Sequence, residues 1–165
     1  MSNPLLDLNA KLVVAHRGDS VHAPENTLAA LKRAVELGVD ALEFDVRMTR
    51  DGVPMLLHDE TVERTTNGRG RIDELTSGEV AALDAGRAMP TWVGQGVRIP
   101  TLEQVLDAIR TNPDDRVSSA RVVLCSPGGV NRLFAWESGV EGFIAGPFHI
   151  DELLAQVRRV VERPR

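Results

Sequence analysis

Apolar residues recur along the chain in two spacings, and the changes between them divide it into elements. KLVVAHRG (residues 11–18) is a short apolar run ending in polar residues, the pattern of a buried strand. In NTLAALKRAVELG (26–38), Leu28, Leu31, Ala34 and Val35 fall at helical spacing, and Gly38 is a natural C-terminal stop. DALEFDV (40–46) reads as a second strand. GVPMLLHD (52–59) reads as a third, with Pro54 tolerable near its start. Asp51-Gly52 between them reads as a turn. Residues 60–100 are less regular, with Asn67-Gly68, other glycines and a short helix after Thr76. Thr76 and Glu79 have capping-box spacing, and Thr101 and Gln104 repeat it at the head of TLEQVLDAIR (101–110). Beyond a polar loop, RVVLCS (121–126) predicts a strand, GVNRLFAWESG (129–139) a helix, VEGFIAG (140–146) a strand and HIDELLAQVRRVVE (149–162) a closing helix.

Five strands with helices between most of them predict an α/β domain around a five-stranded parallel sheet. The 165 residues suffice for one domain with a real core, residues 60–100 being an excursion at one end. A complete eight-stranded barrel typically needs about 250 residues, so an open sheet is expected. No internal repeat is present.

Composition narrows the function more than the fold. Apolar residues make up 42% and charged residues 26%, ordinary for a soluble protein. A net charge of −5 argues against a generic grip on nucleic acid. The single cysteine, Cys125, excludes an internal disulfide or a cysteine-cluster metal site. MSNPLLDLNAKL lacks the features of a signal peptide, and no stretch approaches the length of a membrane span. The expectation is a cytoplasmic monomer or homodimer.

Candidate chemistry gathers at the ends of the first three strands, where parallel α/β folds place ligands. His16-Arg17 ends the first, Glu43 and Asp45 lie late in the second, and His58-Asp59 ends the third. Residues i and i+2 of a strand share a face, so Glu43 and Asp45 are expected to point the same way. Two such carboxylates repel unless a cation or an arginine neutralises them, and a hard divalent cation is the economical answer. Two imidazoles nearby suit a general base and a general acid, and Arg17 suits an anionic group such as phosphate. Singly, each residue has a plainer reading: a strand acid faces solvent, and a histidine is structural or exposed. Three successive strand ends with capable residues are what points to a site. The remaining candidates take the plainer reading. Glu25 and Asn26 start a helix with Asn26 as N-cap, His22 and His149 are loop residues, Trp92 and Trp136 are core or partly buried, and Cys125 is inert.

Residues 11–110 resemble the N-terminal half of a glycerophosphodiester phosphodiesterase. The resemblance rests on HRG (16–18), PENT (24–27), E-x-D (43–45), HD (58–59), TNG (66–68), LDAG (83–86) and PTLE (100–103). It implies a TIM-barrel family with an insertion after the third strand, here residues 60–97. It implies that His16 and His58 are the acid/base pair, that Arg17 binds phosphate, and that Glu43 and Asp45 bind Mg²⁺ or Ca²⁺. The substrate it implies is a small-molecule phosphodiester. The family's fourth strand carries an acid and a lysine, whereas RVVLCS has neither. Residues 121–162 instead resemble the last two β-α units of a response-regulator receiver domain, with Ser126 at its Thr/Ser position and Gly146 in place of its lysine. The expectation is therefore an engineered chimera: a flavodoxin-like hybrid of a partial TIM barrel and a receiver fragment, joined between Ile109 and Arg121. Its phosphodiesterase activity would be weak or lost, and the alternative is a non-catalytic designed scaffold.

Overall fold

In the computed structural model, which describes residues 11–126, 139–145 and 149–162, the strands pair two by two. β1 (Val14–His16) runs parallel to β2 (Ala41–Glu43), β3 (Val46–Met48) antiparallel to β4 (Pro54–Leu56), and β5 (Val123–Ser126) parallel to β6 (Gly142–Ala145). The expected five-stranded parallel, flavodoxin-like sheet is not what forms. The run DALEFDV breaks at Phe44-Asp45 into β2 and β3. From β3 the chain returns as a hairpin through Thr49–Val53, where the Thr49 N–H bonds the Val53 carbonyl at 3.0 Å and the Gly52 N–H bonds that of Thr49 at 3.0 Å. Five residues cannot carry a parallel crossover, which takes a dozen or more, so antiparallel pairing was the only outcome open to MTRDGVP.

The chain divides into two compact units, one of residues 11–107 and one that holds the described residues from 108 onward; the division falls within α3 (Leu102–Arg110). In the first unit, α1 (Leu28–Glu36) buries Ala30, Leu31 and Ala34, close to the stripe its spacing predicts. Its N-cap is Thr27 rather than Asn26: Thr27 Oγ1 accepts the Ala30 N–H at 3.3 Å and donates to the Pro24 carbonyl at 2.6 Å. α2 (Ser77–Ala81) has the expected capping box at Thr76 and Glu79. At the head of α3, Gln104 Oε1 accepts the Thr101 N–H at 2.9 Å and Thr101 Oγ1 accepts the Gln104 N–H at 3.1 Å. Each cap satisfies helix-end donors that would otherwise lack partners.

Residues 60–97 build their own core. Val62, Ile72, Val80 and Ala85 pack with Met55 and Leu57 from the end of β4 and with Ile99. The excursion is thus fixed by apolar burial onto β4 and the segment that leads from it to His58. The Asp51 carboxylate ties it down a second time. It accepts Thr49 Oγ1 at 2.6 Å, the Ser77 N–H at 2.9 Å and Ser77 Oγ at 2.8 Å, and these bonds hold its pKa at about 2. A residue read as a plain turn also anchors α2.

In the second unit, β5 and β6 pair in register from Val123↔Gly142 to Ser126↔Ala145. α4 (Asp115–Ser118) and α5 (Ile150–Val161) complete its described elements. Glu141 accepts Arg110 Nη2 at 2.7 Å and the Val122 N–H at 2.7 Å. The helix expected over 129–139 lies outside the described residues except for Gly139; Trp136 and Gly146 lie outside them too. No helix among the described residues is long and apolar enough to cross a membrane.

Candidate functional site

Parallel register sets the first pair of candidate residues side by side. His16 is aligned with Glu43 at the ends of β1 and β2, and His16 Nε2 lies 3.9 Å from Glu43 Oε2. The chain then leaves β1 through two residues in the left-handed region, Arg17 at φ 58° and Gly18 at φ 78°. For a non-glycine residue that conformation costs roughly 1–2 kcal/mol, a strain typical of functional loops. Gly18 is required twice over, because a Cβ there would also fall 2.6 Å from the carbonyl carbon of Ala30. The bend brings the Arg17 N–H to Glu43 Oε2 at 3.1 Å and turns the Arg17 side chain inward.

Arg17 sits between two carboxylates. Nη1 donates to Glu25 Oε1 at 3.0 Å, and Nε lies 3.1 Å from Asp45 Oδ2. The Nε–H does not aim along that line, so the contact with Asp45 is ionic and this buried Nε lacks a hydrogen-bond acceptor. The neutralising charge expected between Glu43 and Asp45 is thus supplied in part by an arginine.

Asp45 is held from a third direction. Its N–H donates to Asn26 Oδ1 at 2.9 Å, and Asn26 Nδ2 donates to Asp45 Oδ2 at 3.0 Å. Asn26 is buried and left-handed, at φ 56°. Side-chain bonding of this kind competes with a strand ladder, which is why the run from Ala41 breaks at Asp45.

His58, at the end of the segment from β4, is fixed at backbone and ring. Arg47 Nε donates to its carbonyl at 2.6 Å, and its Nδ1 lies 2.6 Å from Asp59 Oδ1. Asp59 Oδ2 takes Arg64 Nε at 2.5 Å, while Arg64 Nη1 and Nη2 donate to the two oxygens of Glu25, each at 2.8 Å. A continuous chain therefore runs His58–Asp59–Arg64–Glu25–Arg17–Asp45–Asn26. It joins His58, Arg17 and Asp45 into one cluster, to which the Arg17 N–H adds Glu43 and, 3.9 Å from that carboxylate, His16. The Arg64 hydrogen bond, then that of His58, holds the Asp59 carboxyl at about 2. Glu25 is likewise held below its ordinary value, first by the Arg64 hydrogen bond and then by the charges of Arg64 and Arg17.

Arg64, Glu25 and Asn26 are the members that the sequence pattern did not assign to the site. Glu25 reads as a helix start, and Arg64 lies in an irregular stretch whose position only tertiary packing defines. A cavity of about 290 Å³ meets the network at Arg64 and is lined also by Glu63, Thr66, Asn67, Arg69 and Arg87. None of the five predicted site residues lines it; the side chains of His16 and His58 are exposed and that of Glu43 is partly exposed, which sets the cluster on an open rim. His22 forms a similar arrangement, with Nδ1 2.9 Å from Asp19 Oδ1 and Arg33 Nε donating to Asp19 Oδ2 at 2.9 Å. The side-chain hydrogen bonds of that triplet run among His22, Asp19 and Arg33 and not to Glu43 or Asp45. Trp92 is partly buried, within what was expected of it, and donates from Nε1 to the His22 carbonyl at 2.8 Å.

Among the described residues no group of three or more His, Cys, Asp and Glu side chains is arranged to hold a metal ion. Glu43 and Asp45 still offer the hard oxygen donors that Mg²⁺ or Ca²⁺ prefers. The hydrogen bonds described for them fall on Glu43 Oε2 and Asp45 Oδ2, not on Oε1 and Oδ1. In donor type the pair fits such an ion.

Comparison with known proteins places these features in context. The model of the glycerophosphoryl diester phosphodiesterase family matches residues 16–120. A glycerophosphodiester phosphodiesterase of Caldanaerobacter subterraneus subsp. tengcongensis is 53% identical over 98 residues, which are 59% of this chain and 40% of that protein. The crystal structure of a glycerophosphodiester phosphodiesterase from Agrobacterium tumefaciens superposes with a TM-score of 0.67 at 30% identity, over 92% of this chain and 64% of that one. A phosphodiesterase of Oleispira antarctica, solved in complex with the product sn-glycerol-3-phosphate, matches with a TM-score of 0.53 at 33% identity, over 93% of this chain and 52% of that one. The chain thus spans about two fifths of the length of the bacterial relatives it matches, and less of the mammalian ones.

These matches overturn the chimera. The family model runs through the supposed join between Ile109 and Arg121, and the superpositions extend over nearly the whole chain. They support no receiver fragment, flavodoxin-like hybrid or designed recombination; the fold is TIM-barrel-related over nearly the whole chain. The misreading has a local cause. A strand, a Pro-Phe turn and a helix opening on Asp-Glu form a generic β-α unit, which does not identify its parent fold.

Proposed function

The chain belongs to the glycerophosphoryl diester phosphodiesterase family, and on that premise we propose that its rim cluster hydrolyses a glycerophosphodiester to an alcohol and glycerol phosphate. His16 and His58 are the acid/base pair, Arg17 binds the phosphate, and Glu43 and Asp45 hold the divalent cation. The observation that carries this reading is the unbroken chain of ion pairs and hydrogen bonds from His58 to Arg17 and Asp45, together with the Arg17 N–H bond to Glu43, whose carboxylate lies 3.9 Å from His16.

The geometry divides the two imidazoles by role. An ionised Asp59 can only accept, so the proton of the short His58–Asp59 contact belongs to His58 Nδ1. His58 Nε2 is then left with a lone pair, the form of a general base, and takes a proton from the attacking water as its oxygen bonds phosphorus. His16 returns a proton to the departing alkoxide as the phosphorus–oxygen bond breaks. The unsatisfied, buried Nε–H of Arg17 is a donor suited to a phosphoryl oxygen. A cation on Glu43 and Asp45 supplies, when bound, positive charge for the phosphoryl oxygens.

The test is hydrolysis of glycerophosphocholine and of a chromogenic phosphodiester, with and without Mg²⁺ or Ca²⁺, by the wild type and by His16→Ala. Turnover that requires both the cation and His16 is expected. No turnover, or turnover indifferent to both, would refute the reading.

A further inference from the structure

We propose that Arg64 is a positioning residue for His58: its guanidinium sets Asp59 so that one carboxylate oxygen fixes the imidazole with its proton on Nδ1 and its lone pair on Nε2. The inference rests on the proposed phosphodiester reading for its activity arm and on geometry alone for the rest.

Three donors of Arg64 are committed. Nε meets Asp59 Oδ2, and the Nη1/Nη2 fork grips both oxygens of Glu25. A planar guanidinium with two carboxylates on adjoining edges fixes their mutual position, which a lysine ammonium cannot do. With Oδ2 occupied, Asp59 turns Oδ1 to His58 Nδ1 at 2.6 Å. Through Glu25, whose Oε1 also receives Arg17 Nη1, the same guanidinium sets the arginine at the end of β1. Arg64 is held in turn by its neighbourhood, since Val62 beside it is fully buried in the core shared with Met55 and Leu57. The apolar packing of residues 60–97 is thereby converted into the orientation of a ring on a different segment. The depressed pKa of Asp59, with the Arg64 hydrogen bond as its largest cause, agrees with this order of dependence.

Nitrogen NMR of the imidazoles tests the proposal directly. In the wild type, neutral His58 should carry its proton on Nδ1. In Arg64→Gln, checked for folding by circular dichroism, the population should move toward Nε2–H, the form of an unrestrained imidazole. In the hydrolysis assay the same variant should lose about 10- to 100-fold in kcat with KM little changed, and guanidinium ion added to Arg64→Ala should restore part of the rate. A folded Arg64→Gln with the wild-type tautomer would overturn the proposal, and so would a wild-type His58 protonated on Nε2. If neither variant folds, the wild-type tautomer decides alone. A wild type without turnover counts against the proposed function only, because the tautomer measurement needs no catalysis.

Discussion

Asn26 and Asp45 exchange two hydrogen bonds, backbone N–H to carboxamide oxygen at 2.9 Å and carboxamide N–H to carboxylate at 3.0 Å, across 19 residues of sequence. One buried side chain thus satisfies a backbone donor freed by the break between β2 and β3 and also steadies a carboxylate of the rim. Asn26→Ala removes both bonds and places a Cβ-bearing residue without a polar side chain at φ 56°. A loss of about 2–4 kcal/mol is expected in urea unfolding. Asn26→Gly keeps the polar loss and relieves the backbone, so it should recover about 1 kcal/mol of that.

Acid should weaken the fold through Asp59. Its folded pKa, about 2, lies below the ordinary 3.8, so its stabilisation is complete above pH 4 and disappears as pH falls through 2. After discounting for partial exposure this is worth about 1 kcal/mol. Asp59→Asn should be less stable at pH 7 and should show a shallower loss between pH 4 and pH 2. Asp51 is depressed to the same level and will keep part of that slope in the variant. Thermal unfolding across this range measures both.

Glu43 and Asp45 predict a metal-dependent melting temperature. Mg²⁺ or Ca²⁺ at 100 times its dissociation constant should stabilise the wild type by about 2.7 kcal/mol, and Glu43→Ala should show little of that shift. An equal shift in both proteins would place the ion elsewhere.

The two His–Asp–Arg triplets provide a matched control. His58→Gln should reduce phosphodiester hydrolysis by about 10²- to 10⁴-fold, the usual worth of a general base. His22→Gln, whose triplet is closed by Asp19 and Arg33 rather than by the rim carboxylates, should leave the rate within about 2-fold, because a surface histidine outside the site contributes little.

The local grammar of the chain was legible. Periodicity located α1, the spacing of Thr76 with Glu79 and of Thr101 with Gln104 gave two caps, and strand ends drew attention to His16, Glu43, Asp45 and His58. Strand pairing was less so. Alternation in DALEFDV cannot reveal that Asp45 leaves the ladder for a carboxamide 19 residues earlier. The turn at Asp51-Gly52 did carry the antiparallel sense of β3 and β4 in its length, and assigning a parallel sheet overlooked it. Arg64 could not be found by pattern, because its importance comes from two carboxylates 5 and 39 residues away. The C-terminal β-α units show the opposite failure: a short pattern shared by many folds was taken as a signature of one.

Gly18 lies against the Ala30 peptide, whose carbonyl also accepts the Asp19 N–H at 3.0 Å. Helix α1 therefore cannot slide along its axis without dragging the bend that carries His16 and Arg17. A ligand that tightens on those two residues should slow amide hydrogen exchange well inside the helix, at positions no ligand touches. The helix would then report occupancy of a rim to which it contributes no side chain.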